Sequence, residues 1–198
     1  MAKLQSIEMV GVANRPATIC SNTMCIWFDT TNLKTVISYC GYSGAGTWST
    51  GGALITARYG LAGAGTQNEG LAAGGLVNAS VSCTEEYNGT SWSAGGLLIT
   101  AKNFPGVAGI QNAGLAAGGT AGGGVGQSCT EEYNGTSWSA GGALATARYI
   151  PAGAGTQNET LVAGGYTGIN VSCTEEYNGT SWTAGGSLIT ARRNKAGV

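Results

Sequence analysis

The sequence predicts an all-β fold of about four four-stranded units, and three observations predict it. The motif Cys-Thr-Glu-Glu-Tyr-Asn-Gly-Thr-Ser-Trp occurs at residues 83–92, 129–138 and 173–182, with an eroded copy at residues 39–48. Its tryptophans, Trp48, Trp92, Trp138 and Trp182, lie 44, 46 and 44 residues apart. A period of about 40–50 residues marks propellers and solenoids, in which each unit buries its faces only against its neighbours. Every period is also Gly-punctuated and rich in Thr, Ser and Tyr, a composition that competes with helix.

The elements follow in order. Residues 1–14 fit a strand-like extension: Gln5–Arg15 has the register of a fourth segment without its Trp. Four units are expected at about 15–57, 58–101, 102–147 and 148–191, and residues 193–198 read as the start of a further first segment. Within a unit, a small apolar segment (Tyr59–Thr66) precedes a second (Glu69–Ala73) that ends in the doublet Gly74-Gly75. A third segment, Val81–Tyr87, is joined through Asn88-Gly89 to a fourth at Thr90–Trp92. Asn-Gly is the strongest short hairpin signal, because both central residues of a type I′ turn need positive φ. Alternation along the third segment puts Cys83, Glu85 and Tyr87 on one face and Thr84 and Glu86 on the other. Tyr and Trp at fixed places in each unit are the expected wedges between adjacent sheets.

Composition narrows the chemistry. The 198 residues suffice for one domain with a sizeable core. Charged residues make up 10% and the formal net charge is −1, which offers nothing to attract nucleic acid or an anionic membrane. The 36 glycines lack a triplet period, which excludes collagen, and the regular aromatic positions argue against disorder. Met1–Glu8 has no apolar core of a signal peptide, and no apolar run reaches 18 residues, so cytoplasmic synthesis without membrane insertion is expected.

The absence of histidine removes Ser-His-Asp and Cys-His machinery, and Asp29 is the sole aspartate, so no Asp-rich calcium loop exists. Neither an enzyme nor a metal or other cofactor is expected. Cys83, Cys129 and Cys173 take one position in successive units and, with Cys20, Cys25 and Cys40, read as small buried hydrophobes in a reducing compartment. The pairs Glu85-Glu86, Glu131-Glu132 and Glu175-Glu176 are neighbours on strands, so they point to opposite faces and cannot converge on one bond as glycosidase carboxylates must. One Glu of each pair is expected to meet the basic series Arg58, Lys102, Arg148 and Arg192. Gly63-Ala-Gly65 and Gly153-Ala-Gly155 lack the third glycine, helix and lysine of a phosphate loop and fit close packing instead.

The order of these markers resembles the kelch repeat: Gly74-Gly75, Glu85, Tyr87, Trp92, Lys102; Gly118-Gly119, Glu131, Tyr133, Trp138, Arg148; Gly164-Gly165, Glu175, Tyr177, Trp182, Arg192. The first unit departs, with Asp29-Thr30 where the doublet should stand, but Trp48 and Arg58 are kept. The wording YNGTSW, TARxxxAGAGTQN and the early Trp27–Asn32 is similar to kelch-like repeats of bacteriophage tail and virion proteins. The resemblance implies a kelch-like β-propeller of about four four-stranded blades. It implies a structural component of a virion, at the tail or on a fibre, with copies of itself and other virion proteins as partners and a host-surface glycan or receptor as ligand. A cellular kelch-type adaptor or carbohydrate-binding module is the alternative. The units differ most between segments two and three, which makes Asn78, Thr120, Tyr166 and Asn170 binding candidates. Tyr59, Phe104 and Tyr149, close behind the basic markers, form a second set with Arg193.

Overall fold

The computed structural model describes residues 24–29, 34–39 and 49–193. The chain divides into two compact units, Met1–Ser49 and Thr50–Val198. In the first, β1 (Met24–Asp29) and β2 (Lys34–Tyr39) form an antiparallel hairpin in which Asp29 pairs with Lys34. The expected four-stranded unit at 15–57 is therefore represented, among the described residues, by a two-stranded sheet. The extension at 1–14, Trp48, Cys20, Cys40 and all of the C-terminal tail but Arg193 lie outside the described residues.

The second unit holds three four-stranded antiparallel sheets and, among the described residues, no helix. The first sheet is β3 (Ala62–Gly65), β4 (Gly70–Ala73), β5 (Thr84–Tyr87) and β6 (Trp92–Ala94). The second is β7 (Gly106–Ile110), β8 (Ala113–Ala117), β9 (Thr130–Tyr133) and β10 (Trp138–Gly141). The third is β11 (Ala152–Gly155), β12 (Thr160–Ala163), β13 (Thr174–Tyr177) and β14 (Trp182–Ala184). Each is a meander in chain order, and the sheets stand in an open row with β3 beside β7 and β7 beside β11. Glycine permits this approach: a Cβ on Gly153 would stand 2.6 Å from the Val107 carbonyl oxygen.

The core lies between sheets. Leu71, Ala73, Leu98, Ala116, Tyr133 and Trp138 fill the first junction, and Leu115, Ala117, Leu144, Val162, Tyr177 and Trp182 fill the second. Both junctions use the same polar bonds. The Trp138 indole donates to Thr84 Oγ1 at 2.9 Å, and the Trp182 indole donates to Thr130 Oγ1 at 2.9 Å. Tyr133 donates its hydroxyl proton to Glu86 and accepts from the Gly96 N–H; Tyr177 does the same with Glu132 (2.5 Å) and Gly142. The strand alternation thus holds: Thr84 and Glu86 face the following sheet.

The other glutamate of each pair turns back onto the chain entering its own sheet. Arg58–Glu85, Lys102–Glu131 (2.8 Å) and Arg148–Glu175 (2.5 Å) are ion pairs with both side chains almost wholly buried. Each carboxylate also accepts two backbone N–H groups: Ile55 and Thr56 on Glu85, Ile99 and Thr100 on Glu131, Ala145 and Thr146 on Glu175. Burial alone would raise the Glu85 carboxyl, but Arg58 and the two N–H groups outweigh it and hold the group below its ordinary 4.5. Its contribution to stability is therefore whole above pH 4.5 and is lost as pH falls through the lower folded value.

The Tyr133 and Tyr177 phenols are pushed up, first by burial and then by the bonds to Glu86 and Glu132. A raised folded value means stabilisation that is complete below the unfolded value of 10.0 and lost as pH rises through the folded one. Thermal stability should fall steeply above about pH 10. A Tyr133→Phe, Tyr177→Phe variant should begin less stable and show a shallower fall in melting temperature over that range.

Two expectations need correction. The Asn-Gly pairs are not two-residue type I′ turns. Tyr87 pairs with Trp92, so residues 88–91 form a four-residue loop, and Gly89 (φ +87°) but not Asn88 has positive φ. The Asn88 side chain accepts the N–H groups of Thr90 and Ser91, which wraps the backbone in the asparagine-type turn. The cysteines Cys83, Cys129 and Cys173 are free, as expected, but half-buried instead of buried.

Candidate functional site: a loop rim at one end of the sheets

In an up-and-down meander, the connection between strands two and three and the crossover to the next sheet emerge at the same end. Both sets of candidate residues therefore share one rim. Backbone pairing joins them: Tyr59 exchanges hydrogen bonds with Leu76 (3.1 and 2.7 Å), Asn103 with Thr120 (2.9 Å both ways) and Tyr149 with Tyr166 (3.1 and 2.8 Å). The rim is also tied across sheets, since Ser80 accepts from Asn103 Nδ2 at 3.2 Å and donates to the Thr120 carbonyl at 3.3 Å. Phe104 and Ile150 hold positive φ, 52° and 56°, and the N–H of Phe104 meets the Gly60 carbonyl while that of Ile150 meets the Phe104 carbonyl. Strained backbone of this kind persists where surrounding bonds over-determine it.

The candidates divide by accessibility. Asn78 is exposed at a loop tip, Asn170 is exposed where its loop closes back onto Tyr166, and Tyr59 is 59% exposed with its ring edge-on to Phe104 at 6.4 Å. Phe104, Tyr149 and Tyr166 are half-buried. Tyr149 and Tyr166 meet edge-to-face at 5.3 Å, and the Arg193 guanidinium lies 4.2 Å above the Tyr166 ring. Thr120 is buried, and its hydroxyl takes the Gly122 N–H, so it shapes the loop from beneath. Sequence reasoning missed one feature: each variable loop exposes an aliphatic side chain, Val77, Val125 or Ile169. Only their placement in loops that replace one another from unit to unit hinted at it.

Among the described residues, the rim therefore offers aromatic faces, exposed aliphatics, amides and the Arg193 guanidinium. A groove of about 400 Å³ runs along the first strands of the three sheets, β3, β7 and β11, but Ala, Gly, Pro, Val and Leu line it, with no acid, base or nucleophile among them. Among the described residues no three His, Cys, Asp or Glu side chains come together as a metal site. No protein-family model and no curated protein matches the chain.

Proposed function

We propose that this chain is a kelch-like propeller component of a bacteriophage virion, at the tail or on a fibre, and that its loop rim engages the host surface. The observation that carries the reading is the separation of roles. The junction residues repeat almost unchanged, while the units differ in loops gathered at one end. A rigid frame that presents several related loops binds by avidity, gaining affinity without any single strong contact. The resemblance of the repeats to those of phage virion proteins supplies the setting. The exposed Tyr59 and the Arg193–Tyr166 stack favour a carbohydrate ligand, since sugars lay their apolar faces on aromatic rings. A cellular carbohydrate-binding module would share that chemistry. Quantitative mass spectrometry of density-purified particles separates the two: many copies per particle support the virion role, and absence from particles overturns it.

A further inference from the structure

The outer face of the third sheet carries half of a junction whose other half the chain also owns. We propose that this face docks onto the first sheet of a second copy, so that copies join head to tail through the contact that already joins sheet to sheet within each chain. The inference concerns a different surface from the rim and does not depend on what the rim binds.

At the two internal junctions, the segment leaving one sheet contributes a constant set of groups. For the first these are Leu98, buried; the N–H groups of Ile99 and Thr100, aimed at Glu131; and Lys102, its ion-pair partner. The sheet behind that segment contributes Thr84 and Glu86 as acceptors for Trp138 and Tyr133. The third sheet presents the same set. Residues 185–192 lie on it as their counterparts do: Leu188 N–H bonds the Ser172 carbonyl, Arg192 N–H bonds the Val171 carbonyl, and Gly165 N–H bonds the Arg192 carbonyl. The Arg192 side chain is already posed, because its Nε donates to the Thr190 carbonyl at 3.2 Å, as Arg148 Nε does to Thr146. Among the described residues, however, no carboxylate meets Arg192 and no tyrosine meets Glu176. Leu188 is only half-buried, and Ile189 is fully exposed.

The complementary half is the entry face of the first sheet. Tyr87 and Trp92 stack at 5.0 Å as the two later pairs do, yet both are only half-buried, whereas Tyr133, Tyr177, Trp138 and Trp182 are buried. Among the described residues, Tyr87 has no carboxylate acceptor and the Trp92 indole has only the Gly52 carbonyl, at 3.1 Å. The strip that covers this face, Gly-Gly-Ala-Leu-Ile-Thr-Ala-Arg at 51–58, matches Gly-Gly-Ser-Leu-Ile-Thr-Ala-Arg at 185–192 at every position but one. Segment 185–192 of one copy can therefore replace segment 51–58 of another with the same bonds to Glu85. The exchange brings with it Glu176 for Tyr87 and Thr174 for Trp92, which the displaced strip does not supply. Such a contact is heterologous, and it closes if the rotation between copies allows. Two copies would bring six sheets together, within the range of about 4–8 found in closed propellers.

Light scattering on the full chain tests this. The wild type should show the mass of at least two chains. Arg192→Glu, which places a carboxylate against Glu85, should fall to the mass of one chain with an unchanged far-ultraviolet spectrum. Glu176→Lys, exposed like Arg192, should do the same should the first variant misfold. Arg192→Lys should retain assembly, because Lys102 serves at the equivalent place. A wild type that is a single chain at all concentrations, or folded Arg192→Glu and Glu176→Lys variants that assemble like the wild type, would overturn the proposal.

Discussion

Glu131→Ala should destabilise the chain by about 3–5 kcal/mol, the cost of stranding one partner of a buried ion pair. The Lys102 ammonium would be left inside the first junction with the Cys129 sulfur, 3.1 Å away, as its remaining polar neighbour. The N–H groups of Ile99 and Thr100 would lose their acceptor as well. Domains of ordinary stability have only about 5–15 kcal/mol in total, so this single change should remove a large share of it. Urea unfolding followed by tryptophan fluorescence measures the effect. Glu131→Ala combined with Lys102→Met should recover part of the loss, since removing both charges leaves no ion buried alone. A Glu131→Ala protein with an unshifted midpoint would mean that the pair is solvated and that the junction is held by its apolar side chains alone.

Trp138→Ala should cost about 3–5 kcal/mol, as large aromatic truncations in cores do. Trp138 is 7% exposed, packs on Tyr133 with ring centroids 4.9 Å apart and fills the junction with Leu71 and Leu98. The substitution also removes the indole N–H from the buried Thr84 hydroxyl. In the single-chain Arg192→Glu background, where no second copy covers the entry face of the first sheet, Trp92→Ala at that half-buried position should cost clearly less when measured in the same way. Equal losses at the two positions in that single-chain background would contradict the difference in burial on which the head-to-tail docking proposal rests.

Much of this architecture is legible in the sequence because it repeats. Three copies of Thr-Glu-Glu-Tyr at a fixed distance from a Trp locate β5, β9 and β13, and period-two alternation alone assigns Glu85 and Glu86 to opposite faces. That one glutamate of each pair meets the basic series is legible as well; that it is the first of each pair, on Arg58, Lys102 and Arg148, is seen only in the structure. The turn at Asn88-Gly89 is less legible. A dipeptide suits a type I′ turn locally, but the register Tyr87 to Trp92 leaves four residues to span, and the Asn side chain then serves as a backbone acceptor. The first unit is less legible too, because it lacks the glycine doublet and the Glu-Glu pair that mark the others, and among the described residues β1 and β2 pair only with each other. Within the rim, the positions of Asn78 and Asn170 follow from loop variability, and that of Tyr59 from its place just behind Arg58. The burial of Thr120 does not, because it depends on hydrogen bonds from Asn103 and Ser80 that no local pattern encodes.

Binding at the rim and cohesion at the junctions should be separable, and a glycan array that compares two variants tests that division most directly. The first is Tyr59→Ala with Tyr166→Ala, at the rim; the second is Tyr133→Phe, at a junction, where the bond to Glu86 is lost but the ring remains. The expected result is that wild type and Tyr133→Phe bind the same host-surface glycans, while the rim variant loses them and keeps its fold. Glycan binding that survives the rim substitutions but disappears in a folded Tyr133→Phe protein would contradict that division and move the binding site to the junctions between sheets.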